Sequence, residues 1–416
     1  MKGTKPFDIP KRVVWEAWLR VKANKGSAGV DGVTIDVYEG NLENNLYRLW
    51  NRMSSGAYFP KAVRMVAIPK ATGGNRELGI PTVEDRIAQT VLVLMLEPVL
   101  EPIFHEDSYG YRPGKSAHDA VEQARVRCLT KSWCIDLDVE KFFDTVNHTL
   151  LLKAVKKHET SPWMSLYVQR WLTAPGLTPD GQLRARDRGT PQGGAASPLL
   201  ANLFLHYALD VWLTRHSPSV QFERYVDDVV IHCHTERQAR YVRDKVAARL
   251  QACGLRLHPD KTKIVYCRDH RRVGRYPVVS FDFLGFTFQP RLGQSKQGEV
   301  YLGYGPAISR RAKKRIAAQC RSWNLGSLVS LPLSAVARRI NAIVRGWYVY
   351  YSRFYPSLCR QALRVVNFHL RKWLMRKYKR YRSKTRATQA LQRIYERDPS
   401  LFFHWQVGVI GLGQAA

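Results

Sequence analysis

Two short segments concentrate carboxylates among apolar residues: Asp136-Leu137-Asp138-Val139-Glu140-Lys141-Phe142-Phe143-Asp144 and Tyr225-Val226-Asp227-Asp228. Aspartates converging from different strands are hard oxygen donors of the kind Mg2+ takes in small number, with phosphates and waters completing its octahedron. Two such ions a few Å apart suit in-line attack on a phosphoryl group, because together they serve the attacking and the leaving oxygen. Neither segment decides the matter alone, since Asp-Asp pairs also fill ordinary turns. Asp136 alternates with Asp138 on an extended chain, so the two share a face and Asp136 stays a reserve ligand.

The elements that must position these groups follow from periodicity. Apolar runs at 221–226 and 229–232 predict two strands with the Asp227-Asp228 pair at the tip of their hairpin. Residues 133–137 predict a strand leading into a helical stretch, residues 195–213 a long helix after a Pro-Gln-Gly-Gly turn, and residues 236–253 another helix. The run AVRMVAIPK-ATGGNRE-LGIP over 61–81 predicts a hairpin with Lys70 and Arg76 on its two arms, followed by a helix from about 83 to 100. The glycines of 24–32 predict a loop, residues 262–266 a strand, and residues 281–288 a hairpin. The sum is an α+β chain, with helices on antiparallel sheet.

Charge limits the partners. The 416 residues hold 66 Lys and Arg against 34 Asp and Glu, a net charge of +32. A surface this basic is suited to a polyanion, and nucleic acid is the usual one. After residue 305 the chain becomes helical and densely basic, opposed only by Glu396 and Asp398. Trp347, Tyr348, Tyr350, Tyr351, Trp373, Tyr378 and Tyr381 are interleaved there, as stacking faces for bases or as ordinary core. No apolar run approaches the ~20 residues a membrane span needs, so no membrane partner is expected. Seven scattered cysteines without C-x-x-C spacing suggest buried small hydrophobes in a reducing, cytoplasmic setting rather than disulfides or zinc ligands.

Asp138-x-x-x-x-Phe143-Asp144, then Gly189-Thr190-Pro191-Gln192-Gly193-Gly194-Ala195-Ala196-Ser197-Pro198, then Tyr225-x-Asp227-Asp228, in that order, resembles the motif series of reverse transcriptases. Asn24–Asp31, Arg76–Arg86, Phe283-Leu284-Gly285-Phe286 and Gly346-Trp347-Tyr348-Val349-Tyr350-Tyr351 are similar to blocks of the group II intron-encoded reverse transcriptase/maturases, the bacterial type without an endonuclease. The resemblance implies a right-hand polymerase, with fingers and palm over 1–300 (an N-terminal extension to about 60) and a helical thumb/maturase domain over 305–416. It implies two Mg2+ ions, or Mn2+ in their place, held by Asp138, Asp227, Asp228 and the carbonyl of Val139.

The same resemblance implies that Lys70, Arg76, Phe143, Gln192 and Lys261 bind the incoming dNTP. Phe143 would exclude a 2′-hydroxyl; the alternative is a plain core phenylalanine, since the adjacent Phe142 is equally able to pack inside. Lys261 and Lys263 both remain open as proton donors to pyrophosphate. Lys25, Gly285, Arg345, Trp347, Tyr350, Arg376 and Lys377 are the expected nucleic-acid contacts. The implied partners are group II intron RNA, an RNA template with a DNA primer, dNTPs and a DNA target, in a bacterial, nucleoid-associated setting. A free-standing relative in DNA repair or phage defence, and an RNA-binding splicing factor, are the alternatives. Val226 departs from the alanine common at its position. The short C-terminus is expected to lack the HNH endonuclease that some relatives append.

Overall fold

The computed structural model describes residues 5–69, 75–294 and 297–411. Its strands are β1 (Val63–Pro69), β2 (Asn75–Ile80), β3 (Trp133–Asp138), β4 (Gly176–Leu177), β5 (Leu183–Arg184), β6 (Gln221–Tyr225), β7 (Asp228–Cys233), β8 (Lys263–Tyr266), β9 (Phe281–Phe283), β10 (Phe286–Gln294) and β11 (Val300–Ile308). The chain forms two compact units. The first takes Met1–Ser116, Leu137–Ile231 and Arg237–Thr262; the second takes Ala117–Asp136, His232–Glu236 and Lys263–Ala416.

In the first unit, β1 and β2 form the expected antiparallel hairpin, in register from Arg64 opposite Ile80 to Pro69 opposite Asn75, within a sheet of order β2-β1-β4-β5. Helix Val83–Leu100 starts where Thr82 Oγ1 accepts from Asp85 N, and it is apolar almost all round because it runs through the core. Helix Lys11–Ala23 buries Val14, Ala17, Trp18 and Val21, one face of a 3.6-residue period.

The helix expected over 195–213 begins at Ser197 and is interrupted. Helix Ser197–Leu205 passes through a π-helical turn, His206–Asp210, into helix Val211–His216. A π-turn opens backbone carbonyls, and here Arg249 closes the account: Nη2 donates to Tyr207 O at 3.0 Å and Nε to Ala208 O at 3.1 Å.

Strands β6, β7 and β3 are neighbours in that order, and β3 and β7 each contribute residues to both units. The predicted strand at 229–232 is longer by one residue at each end, so Asp228 opens β7 and the tip is Val226-Asp227.

In the second unit β3 pairs antiparallel with β8, Cys134 opposite Val265 and Asp136 opposite Lys263. Strand β10 is flanked by β9 and β11, and β11 runs to Ile308, past the point where composition turns helical. The two-residue connection Leu284-Gly285 has φ of 49° and 83°, the backbone of a tight hairpin turn. Helices Arg310–Ser322, Leu333–Tyr351, Pro356–Lys377 and Lys384–Arg397 follow. Ser309 and Ser383 cap the first and last of these, and Pro356 occupies the first turn of its helix. Their shared core is Ile316, Ile340, Val344, Leu363, Leu370 and Trp373, all 2% exposed or less.

Candidate active site and nucleic-acid surface

Asp138 closes β3, and Asp228 opens β7, its neighbour in the sheet; Asp227 precedes it in the turn. All three are half-buried, which leaves carboxylate oxygens accessible while their backbones are fixed. The chain beyond Asp138 is laced to the 256–262 segment. His258 N donates to Asp138 O at 2.8 Å, Glu140 N to Arg256 O at 2.8 Å, and Val139 bridges Leu257. This brings Lys261 Nζ to 3.5 Å from Asp138 Oδ1, whereas Lys263 stands in register with Asp136. Lys261 is 59% exposed, so the contact contributes little to stability and its value lies in placing a cation at the carboxylate.

The turn that carries Asp227 is strained. Val226 has φ +61°, a left-handed backbone that β-branched residues rarely adopt. Arg224 holds it: Nη1 donates to Val226 O at 3.1 Å, while the same guanidinium is anchored on Asp210, Asn202 and Ser108. Gly110 covers it, and a Cβ there would lie 2.7 Å from Val226 Cγ2 and 2.8 Å from Val226 N. Asn202 Nδ2 in turn donates to Gly110 O at 2.7 Å, so helix Ser197–Leu205 fixes both sides of the turn.

The Gly189–Gly194 block is threaded against Phe143 and the β1–β2 hairpin. Thr190 N donates to Phe143 O at 2.7 Å and Gly189 N to Val146 O at 2.8 Å; a Cβ on Gly189 would meet the Phe143 and Asp144 carbonyl oxygens at 2.8 Å. Gly79 N donates to Gln192 O at 3.0 Å, and Gly193, φ +131°, passes so close that a Cβ would sit 2.4 Å from Gly79 O. Gln192 Nε2 reaches Asp144 Oδ1 at 3.5 Å.

The two adjacent phenylalanines divide. Phe142 is 1% exposed, whereas Phe143 is half-buried and lines, with Gln192 and Met65, a cavity of about 170 Å³. Lys70 lies outside the described residues, and Arg76 is placed by its backbone opposite Ile68.

The remaining expected nucleic-acid contacts fall in several settings. Lys25 is exposed, with φ +46°, in the loop after helix Lys11–Ala23. In the second unit Arg345 is exposed, with its guanidinium 5.1 Å from the Phe403 ring centre. Trp347 stacks on Trp323 at 5.6 Å. Tyr350 packs on Phe286 and His118, and its hydroxyl donates to Leu284 O at 2.8 Å, the turn that contains Gly285. Lys377 Nζ donates to Val329 O and Leu331 O at 2.7 and 2.6 Å, and Arg376 passes over Gly326. Among the described residues no helix is long and apolar enough to cross a membrane.

Residues 68–288 match the family model for reverse transcriptase (RNA-dependent DNA polymerase). The chain belongs to the reverse transcriptase family. Residues 313–392 match a second model, the group II intron maturase-specific domain. The chain is 34% identical over 278 residues to Protein YkfC of Escherichia coli, covering 58% of this chain and 73% of that protein. It is 32% identical to Group II intron-encoded protein LtrA of Lactococcus lactis subsp. cremoris, over 47% of this chain and 32% of that protein. Against the Putative COX1/OXI3 intron 1 protein of Saccharomyces cerevisiae the identity is 30%, over 47% and 23% respectively. The chain thus spans most of the first relative's length and a third or less of the two intron proteins.

For a reverse transcriptase, the notable residues that the motif reading missed are Arg184, Arg186 and Arg188, which line the cavity of Phe143 and Gln192. Their alternation in Leu183-Arg184-Ala185-Arg186-Asp187-Arg188 puts all three on one face of an extended chain, and that period was the available signal. Arg184 pairs with Glu77 at 3.5 Å and Arg188 with Asp187 at 3.4 Å. Burial pushes the Arg186 guanidinium pKa down, and its Nη2 is buried with no hydrogen-bond partner among the described residues.

Proposed function

We propose that this protein synthesises DNA on an RNA template, extending a DNA primer with dNTPs, and that its basic C-terminal helices hold group II intron RNA during splicing and retrohoming. The observation that carries the reading is the reverse transcriptase match over 68–288, within which Asp138 and Asp228 end and open two neighbouring strands. In this reading residues 1–300 are fingers and palm, with an extension to about residue 60, and residues 305–416 are the thumb and maturase domain of a right-hand polymerase.

The donors suit a hard divalent cation. Asp138, Asp227, Asp228 and the Val139 carbonyl offer oxygen alone, and the carboxylates are partly open to solvent. Two bound Mg2+ ions would supply charge neutralisation for the primer hydroxyl and for the departing pyrophosphate. The protein's own part is positioning. The Arg224 clamp fixes the Asp227 turn, the 256–262 segment fixes Asp138 and brings Lys261 beside it, and the Gly189–Gly194 block sets Gln192 next to Phe143. Phe143 excludes a 2′-hydroxyl, while Lys70, Arg76 and the arginines of 184–188 attract the triphosphate.

Primer extension on an RNA template is the test. Asp227→Ala with Asp228→Ala should abolish synthesis, and undiminished extension by that double variant would overturn the polymerase assignment. Sequencing the RNA that copurifies with the protein tests the intron assignment, with one structured intron as the expected recovery.

A further inference from the structure

Among the described residues six other than glycine hold a positive φ, and Tyr111, at +54°, is the one aromatic among them. A bulky side chain is disfavoured there, and such strain persists only where the surroundings fix it. They do so from both sides. Tyr109 N donates to Arg224 O at 2.8 Å, and Asn202 Nδ2 donates to Gly110 O at 2.7 Å. Beyond Tyr111, the Arg112 guanidinium donates to the Glu101 carboxylate at 2.6 Å and to His105 O and Ser108 O at 2.6 and 2.8 Å, with its side chain only 6% exposed. The ring between these anchors is left outside, because Tyr111 is 62% exposed. Burial therefore does not offset the strain, and the fold holds an aromatic face out to solvent at one fixed place.

That place adjoins the Asp227 turn. Gly110 lies against Val226 too closely for a Cβ, and the Tyr111 ring centre is 6.5 Å from that of Tyr225, with the planes at 44°. Tyr225 ends β6, two residues before Asp227. In the order β3, β7, β6, the strand that leads to Phe143 and the strand that ends in Tyr225 lie on opposite sides of β7, which Asp228 opens. An incoming nucleotide whose sugar meets Phe143 leaves the Tyr225 side for the primer end, whose 3′-hydroxyl must reach the same metal ions.

Resting on the polymerase reading above, we propose that Tyr111 is a specificity-determining residue: its ring, beside that of Tyr225, bears on the minor-groove side of the last base pair of the template–primer hybrid and supports a correctly paired end. An A-form hybrid has a major groove too deep and narrow for side chains and a wide, shallow minor groove that displays sugars and base edges, a surface that a flat aromatic face can meet. Every Watson–Crick pair sets its two sugars at the same spacing, and a mispair shifts them. A ring held rigidly in place thus meets all correct pairs alike, whatever their sequence, and loses contact with a mispair. The left-handed backbone and the anchoring on both sides supply that rigidity.

The test is single-nucleotide extension by the full chain on an RNA template, with DNA primers matched or mismatched at the 3′ end. Tyr111→Asn removes the ring and leaves a residue that tolerates the left-handed backbone, whereas Tyr111→Phe keeps the ring. In Tyr111→Asn the matched end loses its support and the mismatched end has none to lose, so the ratio of matched to mismatched extension rates should fall roughly fivefold or more. Tyr111→Phe should restore the wild-type ratio. An unchanged ratio in Tyr111→Asn would overturn the inference and leave the polymerase assignment standing. An equal slowing on both primers, as a merely structural support would give, would overturn it too, as would loss of the ratio in Tyr111→Phe. If the wild-type chain failed to extend even the matched primer, the polymerase reading itself would fall, and the inference with it.

Discussion

Arg224 and Asp210 form a bidentate ion pair, Nε to Oδ1 at 2.8 Å and Nη2 to Oδ2 at 2.7 Å, with neither side chain exposed at all. The pair joins the π-helical turn to the strand that ends in Tyr225, and the same guanidinium holds the Val226 carbonyl one residue before Asp227. Breaking one side of a buried pair leaves a charge unpaired, at a cost of about 3–5 kcal/mol. Asp210→Asn should therefore lower the unfolding free energy by that order in urea titrations. Arg224→Lys loses the fork, and it should lower kcat while leaving the KM for dNTP nearly unchanged.

Phe142 and Phe143 should separate cleanly. Phe142→Ala empties a core position and should destabilise the fold by about 3–5 kcal/mol. Phe143→Ala should leave stability within about 1 kcal/mol, because surface-facing truncations cost little, and should raise ribonucleotide incorporation at least tenfold. Unchanged discrimination between dNTPs and NTPs would remove Phe143 from the gate role.

Arg186 carries a buried donor without a partner among the described residues, a cost to folding that a substrate phosphate would offset. Arg186→Met keeps much of the volume and discards the charge. It should raise the melting temperature by a few degrees while raising the KM for dNTP about tenfold, a trade of stability against binding. Steady-state kinetics beside thermal unfolding checks both signs.

His404 is fully buried, and burial pushes its pKa down to about 3. One ring nitrogen bonds Asn367 Oδ1 at 2.7 Å, an acceptor shared with Trp405 Nε1, and Nδ1 has no partner among the described residues, so the ring is held neutral. The unfolded chain takes up a proton near pH 6.5 and the folded chain does not, so this contribution is intact above about 6.5 and is lost as pH falls below it, by up to about 1.4 kcal/mol per pH unit. Urea titrations at pH 7.5 and 5.5 should show that fall in the wild type and a shallower one in His404→Gln, which is less stable at pH 7.5.

The sequence was most legible where chemistry and period coincide. The carboxylate segments, the hairpin of β1 and β2 and the helix after it are all read from alternation, turn residues and capping. Strand β11 was not, because Val300–Ile308 contains two glycines and a proline, and it is its nine-residue pairing with β10 that makes it a strand. The π-turn at His206–Asp210 leaves no mark in hydrophobic period, and the side chains that bond to it, Arg249 and Arg224, come from elsewhere in the chain. The cysteines are all buried, as their composition suggested, but three of them are neighbours only after strands β3 and β8 pair. Contacts of that kind lie outside what spacing along a chain can express.

Residues 117–136 and 232–236 fold with 263–416, although they lie in the chain between parts of the other unit. No single break therefore yields either unit whole. A fragment ending at Thr262 would keep Trp133–Asp136 but lose β8, leaving those backbone groups without their ladder and Cys134 without Cys267. Exchange of parts between genes at Thr262 would meet the same obstacle, because β3 and β8 would then come from different parents.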